Sequence, residues 1–266
     1  MKMRRMIALL AALLLSLPLC VSAQDAPEWD YPLAPEILND PQHYITLTNR
    51  SALLDASYEP EDLETLSMRA VVKGQLRKEA NAALKAMFDA AGEAGYTLYV
   101  KSAYRNYRTQ KTMYYNRLDK LGRDDGLVAY PGSSDHQTGL GVDILNYDWT
   151  QKEGMNKDFG ETAEAKWMYD HCQDFGFILR YMEDKEESTG IKYEPWHFRY
   201  VGPEAAEYIM EKHLSLEEFT AEYQAYLSDY AARGGDFEEL LRSRARLNPV
   251  NVVDKSEDGE EEISIF

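Results

Sequence analysis

Apolar residues recur at helical spacing over 75–94, where Leu76, Ala80, Ala83, Leu84, Met87, Phe88 and Ala91 fall on one face. This spacing predicts a long amphipathic helix, with Gly92 and Gly95 at its end. The period then drops to two over 96–102, which predicts a strand. A second helix is expected over 107–121, with Tyr114, Tyr115 and Leu118 on its apolar side. The run Leu140-Gly141-Val142-Asp143-Ile144 alternates as a strand entering a core does. A helix over 161–173 should turn Trp167 and Met168 inward, and 175–181 reads as a buried strand. Over 191–200, Trp196, Phe198 and Tyr200 alternate with His197 and Arg199. That predicts a strand with His197 on the face opposite Trp196. Beyond Gly202-Pro203, helices are expected at 204–212 and 216–233, with one or two further turns over 237–247. The stretches 122–133, 148–160 and 183–190 are polar and turn-rich, and read as loops. Helix, strand, helix, then strands and more helices fit an α+β fold, with helices packed on a small, mostly antiparallel sheet.

The first 23 residues read as a signal peptide. Lys2, Arg4 and Arg5 form a positive start, residues 7–19 are apolar apart from Ser16 and Pro18, and Val21-Ser22-Ala23 fits a cleavage site. The apolar run is short for a membrane span. An uncleaved anchor is the main alternative, and lipidation at Cys20 ranks below it because Pro18 and Leu19 suit such a signal poorly. The full chain carries a formal charge of −17. The leader holds three positive residues and no acid, so the remainder stands at −20. Such acidity argues against nucleic acid or anionic lipid as a partner. After cleavage Cys172 is the one remaining cysteine, so no internal disulfide can form. Cys172 is expected as a buried thiol. The last residues, from 248 on, are acidic and poor in apolar side chains and read as disordered. The sequence contains no repeat, no phosphate-cradling glycine loop and no Gly-x-Ser-x-Gly elbow.

Chemistry concentrates in two stretches. Ser134-Asp135-His136-Gln137-Thr138-Gly139-Leu140-Gly141-Val142-Asp143 places an imidazole and a carboxylate seven residues apart, with two glycines between them. Glu194-Pro195-Trp196-His197 adds a second imidazole and a spare carboxylate. Two histidines and an aspartate suit a catalytic metal that keeps one position open, and a nearby glutamate suits a base. His136 is expected on a turn and Asp143 on the following strand. On spacing alone His-x6-Asp is a weak pattern, and a histidine beside a glycine turn is more often structural. Glu194 alone would read as an exposed strand-end glutamate. Arg105, in Ser102-Ala103-Tyr104-Arg105-Asn106-Tyr107-Arg108-Thr109-Gln110, offers a planar fork suited to a carboxylate, although most such arginines are solvated or ion-paired. Arg108 is expected in solvent, and Asp135 is assigned no role.

Taken together, Ser-x-His-x-x-Gly-x-x-x-Asp, Glu-Pro-Trp-His-Phe-Arg-Tyr and the Arg105 segment resemble the VanY-type zinc D-alanyl-D-alanine carboxypeptidases. The resemblance runs from roughly Leu47 to Val201. It departs at Gly141, where alanine is common. What it implies is a secreted zinc peptidase that removes the terminal residue of peptidoglycan stem peptides in cell wall remodelling. His136, Asp143 and His197 would hold Zn2+, and Glu194 would be the base. Arg105, Gln110 and Ser134 would bind substrate, a plain turn serine being the alternative for Ser134. The family also contains L,D-carboxypeptidases acting on tetrapeptides, which the same motifs would serve. A non-catalytic peptidoglycan-binding module is a third reading, and the intact ligand set argues against it. The tyrosines Tyr223, Tyr226 and Tyr230 are expected to pack on the domain, with a wall-binding surface as the alternative. The expected organisation is a signal peptide (1–23), an extended lead-in (24–46), a catalytic domain (47–213), a helical extension (214–247) and an acidic tail (248–266). The mature chain is expected outside the cytoplasm, associated with the cell wall.

Overall fold

The structure is a computed structural model and describes residues 26–247. The expected leader and acidic tail lie outside the described residues. In chain order the elements are helix α1 (Pro35–Asn39), paired strands β1 (Leu63–Thr65) and β2 (Gln75–Arg77), helix α2 (Lys78–Glu93), strand β3 (Leu98–Ser102) and helix α3 (Tyr107–Leu121). Strand β4 (Gly141–Asn146), short helix α4 (Tyr147–Thr150), helix α5 (Ala163–His171) and strand β5 (Phe177–Leu179) follow. Helix α6 (Glu186–Thr189), strand β6 (His197–Tyr200) and helices α7 (Pro203–Glu211), α8 (Leu216–Ala232) and α9 (Phe237–Leu247) complete the chain.

The central sheet has the order β3-β4-β6-β5, and every pairing in it is antiparallel. The fold is α+β, as expected. Helix α2 lays Ala80, Leu84, Met87, Phe88 and Ala91 against Leu98, Val100, Val142, Ile144 and Phe198 of the sheet. The helix starts three residues later than its periodicity suggested, because Gln75, Leu76 and Arg77 pair with Thr65, Glu64 and Leu63 as a strand. Leu76 is fully buried in the strand, and an apolar residue is equally suited to a buried helix position, so the apolar pattern could not separate the two.

A second apolar cluster joins the N-terminal segment to the C-terminal helices. Tyr31, Leu33, Leu38 and Ile45 pack with Ile178, Val201, Ala206, Ile209, Leu216 and Phe219. The expected extended lead-in therefore contains a helix, α1, with Pro35 in its first turn where a missing N–H costs nothing. Tyr226 and Tyr230 pack edge-on against Trp29, which is the packing role foreseen for the tyrosines of α8. The expected loop at 148–160 begins inside α4, and the one at 183–190 contains α6. Helix α9 runs three turns rather than one or two.

Candidate metal centre

The turn carrying His136 is a short 3₁₀ piece, Asp135–Thr138, closed by Gly139 in the left-handed region at φ 69°. Thr138 locks it: its hydroxyl donates to the Asp135 carbonyl at 2.6 Å and accepts from the Leu140 N–H at 3.1 Å. The two glycines act differently. Gly139 supplies the positive φ, and a β-carbon there would lie 2.9 Å from Arg77 Cγ. Gly141 is needed for close approach, since its β-carbon would fall 2.9 Å from the Asp135 carbonyl carbon. In this chain that contact calls for glycine at position 141.

The chain then enters β4, where Asp143 lies between Ser102 of β3 and His197 of β6 as cross-strand partners. A register shift between Val100 and Ser102 re-aims the end of β3 toward the site. His197 is the first residue of β6, so the strand is shorter than expected. Glu194 precedes it on a turn closed by the His197 N–H donating to the Glu194 carbonyl at 3.0 Å. An extended strand would have sent Glu194 and His197 to opposite faces. The turn at Pro195-Trp196 brings both to one side.

His136, Asp143 and His197 each offer an atom within 4.8 Å of the other two, and all three are buried. Asp143 Oδ2 is 3.2 Å from His136 Nε2, and its Oδ1 is 2.9 Å from His197 Nδ1. Arms of about 2.0–2.1 Å on a tetrahedral zinc set ligand atoms about 3.3 Å apart, so these separations fit that ion. The other nitrogen of His136 faces the Ala103 carbonyl at 2.7 Å, the usual orienting partner for a ligand imidazole. His197 Nε2 is buried without a hydrogen-bond partner, and its nearest acid oxygen is Asp135 Oδ2 at 3.7 Å.

Electrostatics separate the two imidazoles. Burial and the Arg105 charge push the His136 pKa down against the pull of Asp143, which favours the neutral, ligating form. Burial also opposes charge on His197, but Asp135 and Asp143 outweigh it and raise the pKa to about 9. Burial lifts the Glu194 carboxyl to about 8; His197 and Arg105 oppose that shift and Asp143 adds to it. Glu194 Oε2 lies 4.0 Å from His197 Nδ1.

Arg105 is held rigidly one residue before the Asn106 cap of α3. It donates through Nη1 to Gln110 Oε1 at 2.7 Å and through Nη2 to Ser102 Oγ at 2.8 Å. Its Nη2 stands 3.9 Å from Asp143 Oδ2. Gln110 is 1% exposed, and its amide nitrogen donates to the Ala129 carbonyl at 2.7 Å. Both ends of that amide are thus engaged within the chain. Ser134 begins the 3₁₀ turn without a capping bond from its side chain. Arg105, Gln110, Ser134, Glu194 and the three ligand-type residues line one cleft, whose apolar wall includes Met113, Leu127, Met155, Ile191 and Trp196. Every predicted site residue therefore borders the same cleft. Cys172 is fully buried elsewhere in the core.

Asp135, Arg180 and Arg199 were missed. Asp135 has no exposure and accepts from Arg180 Nε at 2.8 Å, from the Thr48 hydroxyl at 2.8 Å and from Arg199 Nη1. Although burial works the other way, the two guanidinium groups hold its carboxyl well below the usual carboxylate range. Arg180 also donates to Glu217 of α8 at 2.7 and 2.8 Å, and Arg199 to the Tyr44 and Thr46 carbonyls at 3.0 and 2.9 Å. A signal did exist in the sequence. Two arginines inside apolar and aromatic runs must find buried acids, because an unpaired buried charge is costly.

Residues 73–203 match the family model described as VanY, D-alanyl-D-alanine carboxypeptidase. The Bacillus subtilis protein named "Putative carboxypeptidase YodJ" is 42% identical over 193 residues, covering 69% of each chain. An Enterococcus faecalis D-alanyl-D-alanine carboxypeptidase is 35% identical over 186 residues, covering 66% of this chain and 65% of that one. Among solved structures, the LdcB LD-carboxypeptidase superposes with a TM-score of 0.61 at 42% identity, covering 66% of this chain and 84% of that chain. A vancomycin-resistance D,D-pentapeptidase VanY mutant in complex with Zn(II) superposes with a TM-score of 0.56 at 33% identity, covering 66% and 98%.

Proposed function

The chain belongs to the VanY family of D-alanyl-D-alanine carboxypeptidases and is a zinc metallo-carboxypeptidase, and from that premise we propose that it acts outside the cytoplasm, removing the terminal D-alanine of peptidoglycan stem peptides. The observation that carries this reading is the convergence on one cleft of three ligand-type residues, the Glu194 carboxyl beside them and a fixed guanidinium at Arg105. Support for export comes from the basic, then apolar, then small-residue order of residues 1–23.

In this reading His136, through Nε2, Asp143 and His197, through Nδ1, would hold the zinc. Zinc bound by two imidazoles and a carboxylate supplies Lewis-acid chemistry, polarising a carbonyl and making water a stronger acid. Glu194 takes the proton from the attacking water and passes it to the leaving amine. Its turn lets it reach the side of the cleft that the ligands face. Arg105 pairs with the substrate's carbonyl or terminal carboxylate. Its fork is pre-set by Gln110 and Ser102, so little entropy is lost when substrate arrives. Gln110 thus serves substrate through Arg105. Ser134 offers a hydroxyl at the cleft wall. The apolar wall suits a methyl side chain and displaces water from the reacting groups.

A second reading is L,D-carboxypeptidase action on tetrapeptides. It is favoured by the 42% identity to the LdcB LD-carboxypeptidase, against 33% to the VanY structure. Separate incubation of purified protein with pentapeptide and tetrapeptide stems, read by mass spectrometry, tests both. Loss of one alanine from the pentapeptide is expected. Trimming of the tetrapeptide alone would transfer the assignment to the L,D class, and no trimming of either would remove the proposal.

A further inference from the structure

We propose that Asp135 is a positioning residue for the metal centre: it accepts the Nε2 proton of His197 and so holds the ring in the tautomer that presents Nδ1 to the metal. The inference rests on the proposed role of His197 as a zinc ligand.

Three carboxylates lie at the His197 ring, Asp143 and Glu194 on the Nδ1 side and Asp135 on the Nε2 side. Asp143 Oδ1 stands 2.9 Å from Nδ1, and Asp135 Oδ2 stands 3.7 Å from Nε2. Among the described residues, Asp143 places a carboxylate oxygen within 4.8 Å of ligand nitrogens of both His136 and His197. Asp135 is left with the opposite nitrogen, which is buried and has no hydrogen-bond partner. A buried imidazole N–H without an acceptor is costly, so the ring needs one.

Asp135 has one acceptor position to give. An ionised carboxylate offers about four lone-pair sites. Oδ1 already receives Thr48 Oγ and Arg199 Nη1, while Oδ2 receives Arg180 Nε alone. The remaining site is on the oxygen that faces His197. Closing 3.7 Å to hydrogen-bond range needs a shift of less than about 1 Å. Asp135 itself is fixed from two sides. Arg199 ties it to the N-terminal segment through the Tyr44 and Thr46 carbonyls, and Arg180 ties it to Glu217 of α8. Asp135, Glu217, Arg180 and Arg199 balance in charge, so the carboxylate can be buried.

The test uses the full chain carrying ¹⁵N-histidine and loaded with ¹¹³Cd in place of zinc. The expected spectrum shows cadmium coupled to Nδ1 of His197 and Nε2 of His136, with a slowly exchanging proton on His197 Nε2. Coupling through Nε2 of His197, or an Nε2 proton exchanging freely with solvent, would overturn the inference alone. No coupling to His197 would overturn it together with the ligand assignment beneath it. Asp135→Asn provides an independent readout by chelator competition: zinc affinity should fall about 10–100-fold. A folded variant binding zinc within twofold of the unsubstituted chain would contradict the proposal. Should that variant fail to fold, the spectrum of the unsubstituted protein decides.

Discussion

Asp143 and His197 are direct cross-strand partners on β4 and β6, with Asp143 Oδ1 2.9 Å from His197 Nδ1. Sheet register thus sets the distance between two of the three ligand-type residues. The third, His136, is held by the tight turn that leads into the same strand.

The first prediction follows from that arrangement. His197→Ala should lower zinc content and abolish hydrolysis, whereas substitution of His43, His171 or His213 should do neither. His171 and His213 are paired with Asp174 and Asp184 at exposed positions away from the cleft. Elemental analysis of each purified variant checks this. Full zinc occupancy in His197→Ala would contradict the ligand set.

Arg105→Lys keeps a charge but loses the two-pronged fit to Gln110 and Ser102. kcat/KM should fall by roughly 2–4 kcal/mol in transition-state binding, with zinc retained. Steady-state kinetics on a stem pentapeptide reads the effect, and activity within twofold of the unsubstituted enzyme would place Arg105 outside the reaction.

Gly139→Ala should destabilise the fold by roughly 1–3 kcal/mol. The new methyl meets Arg77 Cγ and Leu63 Cδ2 at 2.9 Å in a left-handed backbone. Denaturant unfolding of the purified chain measures it, and an unchanged midpoint would mean that the turn can relax.

Cys172 should resist alkylation in the folded protein at pH 8. Burial pushes its thiol up to about 12, so the reactive thiolate is scarce there and the sulfur is out of reach. Iodoacetamide labelling mapped to the Cys172 peptide should appear only after unfolding; rapid labelling of the native chain would refute the burial.

What the sequence disclosed about the site follows the reach of each interaction. His136, Asp143, Glu194 and His197 carry ligand and base chemistry in their side-chain types, and two short stretches contain them all. The role of Asp135 depends on Arg180 and Arg199, which lie 45 and 64 residues further along, so no local pattern displays it. Gln110 is legible as a site residue but not as the brace of Arg105, because its partners are set by how α3 meets the Ala129 loop. The turn before His197 was hidden by aromatic alternation that continues through Trp196 into β6. Helix α8 was plain because its apolar positions recur locally; the span of α3 was legible too, but Tyr115, expected on its apolar side, is exposed, and Tyr114 is buried there.

Glu194 is proposed as the base, and His136, Asp143 and His197 as the ligands. Glu194→Gln separates these roles, since glutamine keeps the shape but cannot take the proton. Zinc content and single-turnover hydrolysis of a stem pentapeptide should be measured on the same preparation. The variant should keep near-full zinc and turn over at least about 100-fold more slowly. Turnover equal to that of the unsubstituted enzyme, or loss of zinc from a folded variant, would contradict the account.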